Sequence, residues 1–498
     1  MDPGTLLIRA DSNVAMGTGH AMRCLALAQA WQDAGGKTVM AMAEATPATE
    51  DKLRRENVEV VRLDVAGGTE GDAIRTASLA EQRQAAWVTV DGYQFDSAYQ
   101  AALKSKGVRV MFIDDDGRAR PYSADLVLNQ NAHAAEALYD QHANYTRLLL
   151  GPDYAMLRRQ FASWQNWQRE IPGAGHRILL TMGGSDPRNF TLRVMEALSM
   201  VEMESLEAVV VVGGSNPHGP ALEAAAKSRR AVRLAKNADN MPELMAWADL
   251  AVSAAGTTCW EMCFLGLPAM VVDLAANQRP VAQRLDELGV TCHIGNSRDC
   301  STERIAGELT RLLADAETRS RMCRRGRELV DGRGAARVCA AMTGSGIQLR
   351  PATEADCRLL WEWANEAGVR ASAFSQQPIG WDEHTAWFRA QLADAACMIL
   401  IGEDAAGRPI GQVRMHRQTS GEAEIDVSVA RDFRGAGYGS LLIDTAVREA
   451  SASAGITRVH AFIRPENGAS ARAFENAGFR RMGEEQVKGS LALHYCRG

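Results

Sequence analysis

His20 sits where a glycine turn opens a helix, and its type and place suit it to move a proton. Leu6-Leu7-Ile8-Arg9-Ala10-Asp11 reads as a short apolar strand ending in an Arg and an Asp. Gly17-Thr18-Gly19-His20-Ala21-Met22-Arg23-Cys24-Leu25 then reads as a turn running into an apolar helix. The first turn of such a helix carries unpaired N–H groups and the positive end of a dipole, so Gly17 and Gly19 are candidates to meet an anionic ligand. An imidazole beside that anion, with an unperturbed pKa near 6.5, can act as a base. The same residues also fit a Gly-rich turn with a hydrogen-bonded structural His. Asp11, at the same strand end, either orients His20 or caps a turn.

A second group of loops, in residues 165–345, has the composition of a phosphate and ribose site. Ile178–Thr181 ends in Met182-Gly183-Gly184-Ser185-Asp186-Pro187, and Val209–Val212 ends in Gly213-Gly214-Ser215. Glycines at a strand end let the backbone approach a ligand closely, which makes Gly183 and Ser185 candidates. Ser253-Ala254-Ala255-Gly256-Thr257-Thr258 precedes a helix, so Gly256, Thr257 and Thr258 offer N–H and hydroxyl donors to a diphosphate. Glu261, one turn in, either accepts from both ribose hydroxyls or is a solvated first-turn Glu serving the helix dipole.

A third Gly-rich run follows a strand near the carboxyl end. Glu422–Val429 alternates, and Arg434-Gly435-Ala436-Gly437-Tyr438-Gly439 then opens a helix. Successive N–H groups in such a run form a nest for a pyrophosphate. Its glycines are two apart, and the next strand, Arg458–Ile463, ends in Arg464 rather than an acid, which disfavours a nicotinamide dinucleotide.

These residues need elements to hold them. Residues up to about 345 alternate apolar strands with amphipathic helices. The strands are Leu6–Arg9, Thr38–Ala41, Val58–Leu63, Ala86–Val90, Arg109–Ile113 and Leu126–Leu128, then Arg177–Thr181, Ala208–Val212, Val232–Leu234, Leu250–Val252 and Ala269–Val272. Such alternation predicts α/β architecture, with parallel sheets covered by helices and a ligand beyond the carboxyl ends of the strands. The polar stretch Ser163–Gly175 reads as a hinge, dividing residues 1–163 from 164–343 as two Rossmann-like halves. Beyond Gly344-Ser345-Gly346 the pattern becomes α+β across 347–498. Cys397–Gly402 and Gly411–His416 read as antiparallel strands there.

Bulk properties narrow the class. The 498 residues are too many for one core and predict two to four domains. With 46% hydrophobic and 23% charged residues the composition is that of a soluble globular enzyme, and a net charge of −6 without a basic block argues against nucleic-acid or anionic-membrane partners. The 10 Cys are scattered with no C-x-x-C pair, so neither a zinc site nor a disulfide framework is expected. No signal peptide or membrane span is expected, and a reducing cytoplasm is the expected compartment.

The ordered motifs of residues 5–330 resemble a GT-B-fold family, the UDP-2,4-diacetamido-2,4,6-trideoxy-β-L-altropyranose hydrolases of pseudaminic acid synthesis. The resemblance rests on Arg9-Ala10-Asp11, Gly17–Cys24, Asp91-Gly92-Tyr93, Ile113-Asp114-Asp115, Gly151-Pro152-Asp153-Tyr154, Gly183–Pro187 and the Ser253–Gln278 block. It implies His20 as base, Tyr93 and Asn277 as sugar-site residues, and a bound UDP-sugar.

Residues 347–498 resemble the GCN5-related N-acetyltransferases. Arg434-x-x-Gly437-x-Gly439 matches their acetyl-CoA signature, and Asn467-x-x-Ser470 with Phe474-Glu475 and Gly478-Phe479 matches their second half. The resemblance implies acetyl-CoA held by Val427, Val429, Arg434, Gly435, Ala436, Gly437, Tyr438, Gly439, Asn467 and Ser470, with no metal in either unit. Trp361-x-Trp363-x-Asn365, Val369-Arg370 and Trp381-x-x-His384-x-x-Trp387-Phe388 resemble the subgroup acting on amino sugars and protein N-termini. Many members carry Tyr where Phe474 stands, and Phe cannot protonate a thiolate, so Ser470, a water or positioning alone takes over. Glu424 reads as the base for an ammonium substrate or as a solvent-facing strand Glu; His384 touches substrate or packs beside Trp387. Together the two resemblances imply acetylation of the 4-amine of a UDP-amino sugar and hydrolysis of the product. The alternatives are a GT-B glycosyltransferase with an appended acetyltransferase, and a UDP-sugar-binding scaffold with a degenerate acetyltransferase module.

Overall fold

In the computed structural model the chain forms two compact units, Met1–Cys339 and Ala340–Gly498. The structure describes residues 3–498 other than 14–15, 230, 237, 344–346, 405–406, 420, 435–437 and 488. The Gly344-Ser345-Gly346 boundary lies outside the described residues.

The first unit holds two parallel sheets. β1 (Thr5–Ala10), β2 (Lys37–Met42), β3 (Glu59–Arg62), β4 (Ala85–Asp91), β5 (Val110–Ile113), β6 (Leu126–Asn129) and β7 (Arg147–Leu150) run in the order β3-β2-β1-β4-β5-β6-β7. β8 (Arg177–Thr181), β9 (Glu207–Val212), β10 (Val232–Lys236), β11 (Leu250–Ala254), β12 (Ala269–Asp273) and β13 (Cys292–Asn296) run β10-β9-β8-β11-β12-β13. Helices cover both faces, so central strands are apolar throughout: Leu6, Leu7 and Ile8 are all fully buried. The sequence patterning missed β7 and β13. Both are edge strands, mostly half-buried, and short apolar runs of that kind carry little signal.

In each sheet the chain leaves the first strand in one direction and returns to pair on its other side. β1 therefore neighbours β4, and β8 neighbours β11. A crevice opens at the carboxyl ends of such strand pairs. The expected hinge begins inside the 3₁₀ turn Arg159–Trp164, and Arg169 ties it to the second half through the carbonyls of Met245, Ala248 and Leu265.

The second unit is one mixed sheet. β14 (Ile347–Pro351), β15 (Cys397–Asp404), β16 (Pro409–Thr419), β17 (Glu422–Val429), β18 (Arg458–Ile463), β19 (Arg480–Val487) and β20 (Ser490–Arg497) run β14-β15-β16-β17-β18-β20-β19. All pairs are antiparallel except β17–β18. That parallel pair is registered only at Glu422↔Arg458, Ala423↔Val459 and Glu424↔His460. Beyond Glu424, β17 keeps β16 as a partner through Val429 but, among the described residues, has no strand partner on its other edge. Ala423, Ile425, Val459 and Ala461 point into the core shared with the helix Tyr438–Ala454, and Leu360 and Phe388 form a smaller core against Ile399 and Ile401 of β15.

Candidate active sites

In the first unit several of the candidate side chains gather at the carboxyl ends of β1 and β4. The turn after β1 is possible because Gly17 takes φ +78°, a left-handed conformation that costs other residues energy. It leads into the helix Gly19–Asp33, whose second residue is His20, with a side chain only 8% exposed. Nδ1 of His20 lies 2.6 Å from Oδ1 of Asp91, the fully buried last residue of β4. One turn along the same helix, Arg23 donates Nε and Nη2 to Asp91 at 2.6 and 2.7 Å, and Nη1 to both oxygens of Asp115 at 2.9 Å.

Burial alone would raise the pKa of Asp91. The charge of Arg23, with hydrogen bonds from Arg23 and His20, outweighs it and holds the carboxyl well below its usual range. Asp115 is lowered in the same way, against its burial, by Arg23. An ionised Asp91 can only accept, so a neutral His20 carries its proton on Nδ1 and leaves Nε2 unprotonated. This is the arrangement by which a carboxylate fixes a catalytic imidazole.

Asp11 does not orient His20, contrary to one of the two readings of the sequence. Its carboxylate accepts from Arg9 at 2.7 and 2.9 Å, from the backbone N–H groups of Ala43 and Glu44, and from Gln94. It belongs to a buried Arg9–Asp11–Asp72 network on the β2 side of β1. Asp91 takes the orienting role because β4, not β2, borders β1 on the side where His20 lies. Asp91 was visible as part of a motif, but its role was not, since a residue 71 positions from His20 meets it only through strand order.

Tyr93 and Asn277 do meet. Nδ2 of Asn277 donates to the Tyr93 hydroxyl at 2.7 Å, joining the loop after β4 to the 3₁₀ turn Ala276–Gln278 after β12. The Tyr93 ring stands edge-on to His20 with centroids 4.9 Å apart, and its hydroxyl donates to Asp115 at 3.3 Å. Tyr93 itself is 44% exposed, so it is not a core aromatic. Arg23, Asp115 and Asn131, whose amide donates to Asp115 at 2.8 Å, complete the cluster; the first two stood in motifs without a role, and Asn131 was not named in the sequence. The available signal was the i, i+3 spacing of His20 and Arg23, which puts both on one helix face.

The glycine loops converge on the same region. A Cβ on Gly184 would lie 2.6 Å from Thr18 Oγ1 and 3.0 Å from Thr18 N, so the Gly183–Ser185 loop fits against the turn before His20 only as glycine. Ser185 is buried beside it. Gly256 and Thr257 follow β11, and Thr258 begins the helix Thr258–Phe264. Glu261 is not a solvated first-turn residue: its Oε1 takes two hydrogen bonds from Arg158, at 2.7 and 3.2 Å, and its side chain is largely buried. Among the described residues no group of three or more His, Cys, Asp or Glu could hold a metal ion.

In the second unit, Glu424 stands at the last registered pair before β17 and β18 part, with Oε2 accepting from Gln418 at 3.1 Å. Val427 and Val429 lie on the stretch beyond that parting. Arg434 is held by Glu366 at 2.6 and 2.8 Å and donates Nε to the Val429 carbonyl. Gly435, Ala436 and Gly437 lie outside the described residues. Tyr438 begins the helix Tyr438–Ala454, and a Cβ on Gly439 would touch Ala473 at 3.4 Å, so Gly439 admits the neighbouring helix. Asn467 caps the helix Gly468–Asn476, its side chain accepting from the Ser470 N–H at 3.1 Å. Phe474 is buried edge-on to Phe479, 5.0 Å between centroids. His384 packs: it is buried, stacked on Phe388, with Nε2 3.2 Å from the Cys357 carbonyl.

Comparison with known proteins agrees with this division. Residues 178–331 match the model of the Glycosyltransferase family 28 C-terminal domain, and residues 347–480 match that of the Acetyltransferase (GNAT) domain. The crystal structure of Acinetobacter baumannii MurG covers 68% of this chain and 99% of its own at a TM-score of 0.50 and 16% identity, a likeness of fold. The chain thus joins a GT-B-like unit to a C-terminal GNAT domain, and acetyl-CoA is the co-substrate of the latter. An uncharacterized protein of Methanocaldococcus jannaschii is 23% identical over 96% of both chains, so the similarity runs through both units. The UDP-2,4-diacetamido-2,4,6-trideoxy-beta-L-altropyranose hydrolase of Campylobacter jejuni is 22% identical, across 57% of this chain and 97% of its own. No described helix is long and apolar enough to cross a membrane.

Proposed function

We propose that the chain carries out two consecutive steps on a UDP-amino sugar, as pseudaminic acid synthesis requires. The second unit acetylates the 4-amine of a UDP-4-amino-4,6-dideoxy-AltNAc-type sugar with acetyl-CoA. The first unit then cleaves the C1–O bond, releasing UDP and the 2,4-diacetamido-2,4,6-trideoxy sugar.

The observation that carries the hydrolytic step is the His20 imidazole locked by Asp91 beside a Tyr93 that Asn277 reaches from the other half. UDP leaves readily, so the step chiefly needs an activated water and donors for the departing diphosphate. Water oxygen bonds to C1, its proton goes to Nε2 of His20, and the C1–O electrons remain on UDP. Gly256, Thr257 and Thr258 receive that charge, Gly17, Gly19, Gly183 and Ser185 border it, and Glu261 meets the ribose. Tyr93 and Asn277 hold the sugar. The similarity to the Campylobacter jejuni hydrolase supports the substrate class.

For acetyl transfer, the parted edge of β17 from Val427 to Val429 lies along the thioester, and Gly435, Ala436, Gly437, Tyr438 and Gly439 cradle the pyrophosphate, with Arg434, Asn467 and Ser470 alongside. Glu424 stands at the vertex, where the amine arrives as an ammonium ion. The test is mass spectrometry of products from UDP-4-amino-4,6-dideoxy-AltNAc with acetyl-CoA and the full chain. Free UDP with the diacetamido sugar is expected. An intact UDP-sugar, or UDP release only when a sugar acceptor is supplied, overturns the reading.

A further inference from the structure

The sheet of the second unit has one face that the helix Tyr438–Ala454 leaves uncovered. Because Met415, Ala423, Ile425, Val459, Ala461, Leu493 and Tyr495 turn toward that helix's core, strand alternation sends His416, Glu424, His460 and His494 to the opposite face. Register confirms the grouping: His416 is paired with Glu424, and Glu424 with His460. This face begins where β17 and β18 part.

Two of these side chains, with Glu485 of β19, line up across it. Nδ1 of His460 is 2.9 Å from Nε2 of His494, and Nδ1 of His494 is 2.8 Å from Oε1 of Glu485. The protonation pattern follows from the end. Glu485 meets His494 as an ion-pair contact without hydrogen-bond alignment, and its negative charge favours the His494 proton on Nδ1. A neutral His494 then accepts at Nε2, so His460 must donate from its own Nδ1. That leaves Nε2 of His460 as the unprotonated nitrogen, and it faces β17, with Oε2 of Glu422 4.0 Å away. The other end, Glu485, is half-exposed on the edge strand β19.

We propose that His460 Nε2 takes the proton from the acceptor's ammonium group, and that His494 and Glu485 pass it to solvent at the sheet edge. This rests on the reading of the second unit as an acetyltransferase of a sugar amine, and it divides the work at the vertex: Glu422 and Glu424 attract the ammonium, and His460 deprotonates it. An imidazole near 6.5 is a better proton acceptor at neutral pH than a carboxylate near 4.3. The N–H bond breaks with its electron pair left on nitrogen, and the proton joins His460 Nε2. The His460 Nδ1 proton moves to His494 Nε2, and the His494 Nδ1 proton to Glu485 and water. The freed amine attacks the thioester carbonyl, the C–S bond breaks, and the CoA thiolate takes a proton from solvent. Around His460 stand Glu422 and Glu424 on β17, Arg458 on its own strand, His494 on β20 and Glu485 on β19, while His416, a strand further away, pairs with Asp394 at 3.4 Å. Burial first, then His494, lowers the His460 pKa, which keeps the ring neutral and receptive at pH 7.

The test compares the full chain with His460→Gln, His494→Gln, Glu485→Gln and Glu424→Gln, using acetyl-CoA and a UDP-4-amino-4,6-dideoxy sugar across pH 6–10. Both His variants are expected to lose roughly 10²-fold in kcat at pH 7 with KM for acetyl-CoA unchanged, the deficit shrinking as rising pH deprotonates the amine unaided. Glu485→Gln shows a smaller loss of the same shape, and Glu424→Gln raises KM for the amine. Profiles of His460→Gln and His494→Gln that overlie the wild type overturn the proposal. NMR of ¹³C-labelled histidine rings in the whole chain gives a reading free of any acceptor: replacing His494 must shift the titration of His460, and an unmoved titration overturns the chain of bonds. Absence of acetyl transfer by the wild type defeats the choice of sugar amine alone, and the NMR titration then decides the relay.

Discussion

The two units each set an imidazole beside a carboxylate, but in opposite surroundings. His20 and Asp91 are buried, and Arg23 adds a permanent positive charge that bridges Asp91 to Asp115. His460, His494 and Glu485 lie along a sheet face that ends at solvent, and among the described residues no arginine pairs with Glu485. A buried carboxylate needs its cation, because an unpaired charge in that environment costs several kcal/mol. In return its ionisation is insensitive to pH over the working range. An edge carboxylate is solvated already, and it can exchange protons with water. The first arrangement suits a base that must hold one orientation against one water, and the second suits a proton that must leave.

Removing His20 should give the largest effect and separates the two units most cleanly. His20→Ala is expected to cut UDP release on the order of 10²–10⁴-fold while acetyl transfer, read as thiol release from acetyl-CoA, stays intact. Loss of both activities in a folded variant would refute independent sites.

Asp91→Asn follows. It should lower UDP release by a similar factor, since an amide can impose the wrong tautomer on His20, and it should cost about 3 kcal/mol of stability by leaving Arg23 underpaired. The pH dependence has a definite sign. The folded pKa of Asp91 is depressed, so its stabilisation is fully present above the unfolded value of about 3.9 and fades as pH falls below it. Urea titrations should therefore show the gap between wild type and variant narrowing below about pH 4. A gap that widens there would contradict the ion pair.

Asp11→Asn sharpens the contrast between the two aspartates at the sheet's carboxyl edge. It should destabilise the chain by about 3 kcal/mol, because Arg9 is fully buried and loses one of its two carboxylates, yet leave the pH profile of UDP release in its wild-type shape. A shifted profile would restore Asp11 to the site.

Asn277→Ala removes one donor to the Tyr93 hydroxyl and is expected to raise KM for the UDP-sugar roughly fivefold, in line with about 1 kcal/mol for a single hydrogen bond. The smallest effect belongs to Asn467→Ala, where lost capping should cost about 1 kcal/mol of stability, measured by denaturant melting, and reduce acetyl-CoA affinity no further than that loss explains.

Much of the site was legible as residue types at strand ends. Tyr93 and Asn277, 184 positions apart, were named from motifs and touch in the structure. The glycine loops at Gly17 and Gly184 were legible because few residues besides glycine tolerate a left-handed turn or a backbone that close. Glu261 and Arg434 were legible as polar residues in the right loops, but their partners Arg158 and Glu366 were not, since an ion pair between distant segments leaves no local pattern. The chain His460–His494–Glu485 escaped entirely: one His per strand looks like ordinary alternation until the strands are set side by side.

Local chemistry, then, was written in the chain itself: apolar runs long enough for buried parallel strands, glycines where the backbone must turn, and an imidazole at the start of a helix. Pairing was decided only in three dimensions. Which carboxylate reaches His20 depends on β4 lying against β1, and which histidines form a relay depends on β20 lying between β18 and β19. Strand order is set by how whole sheets bury their faces, and no window of neighbouring residues contains that information.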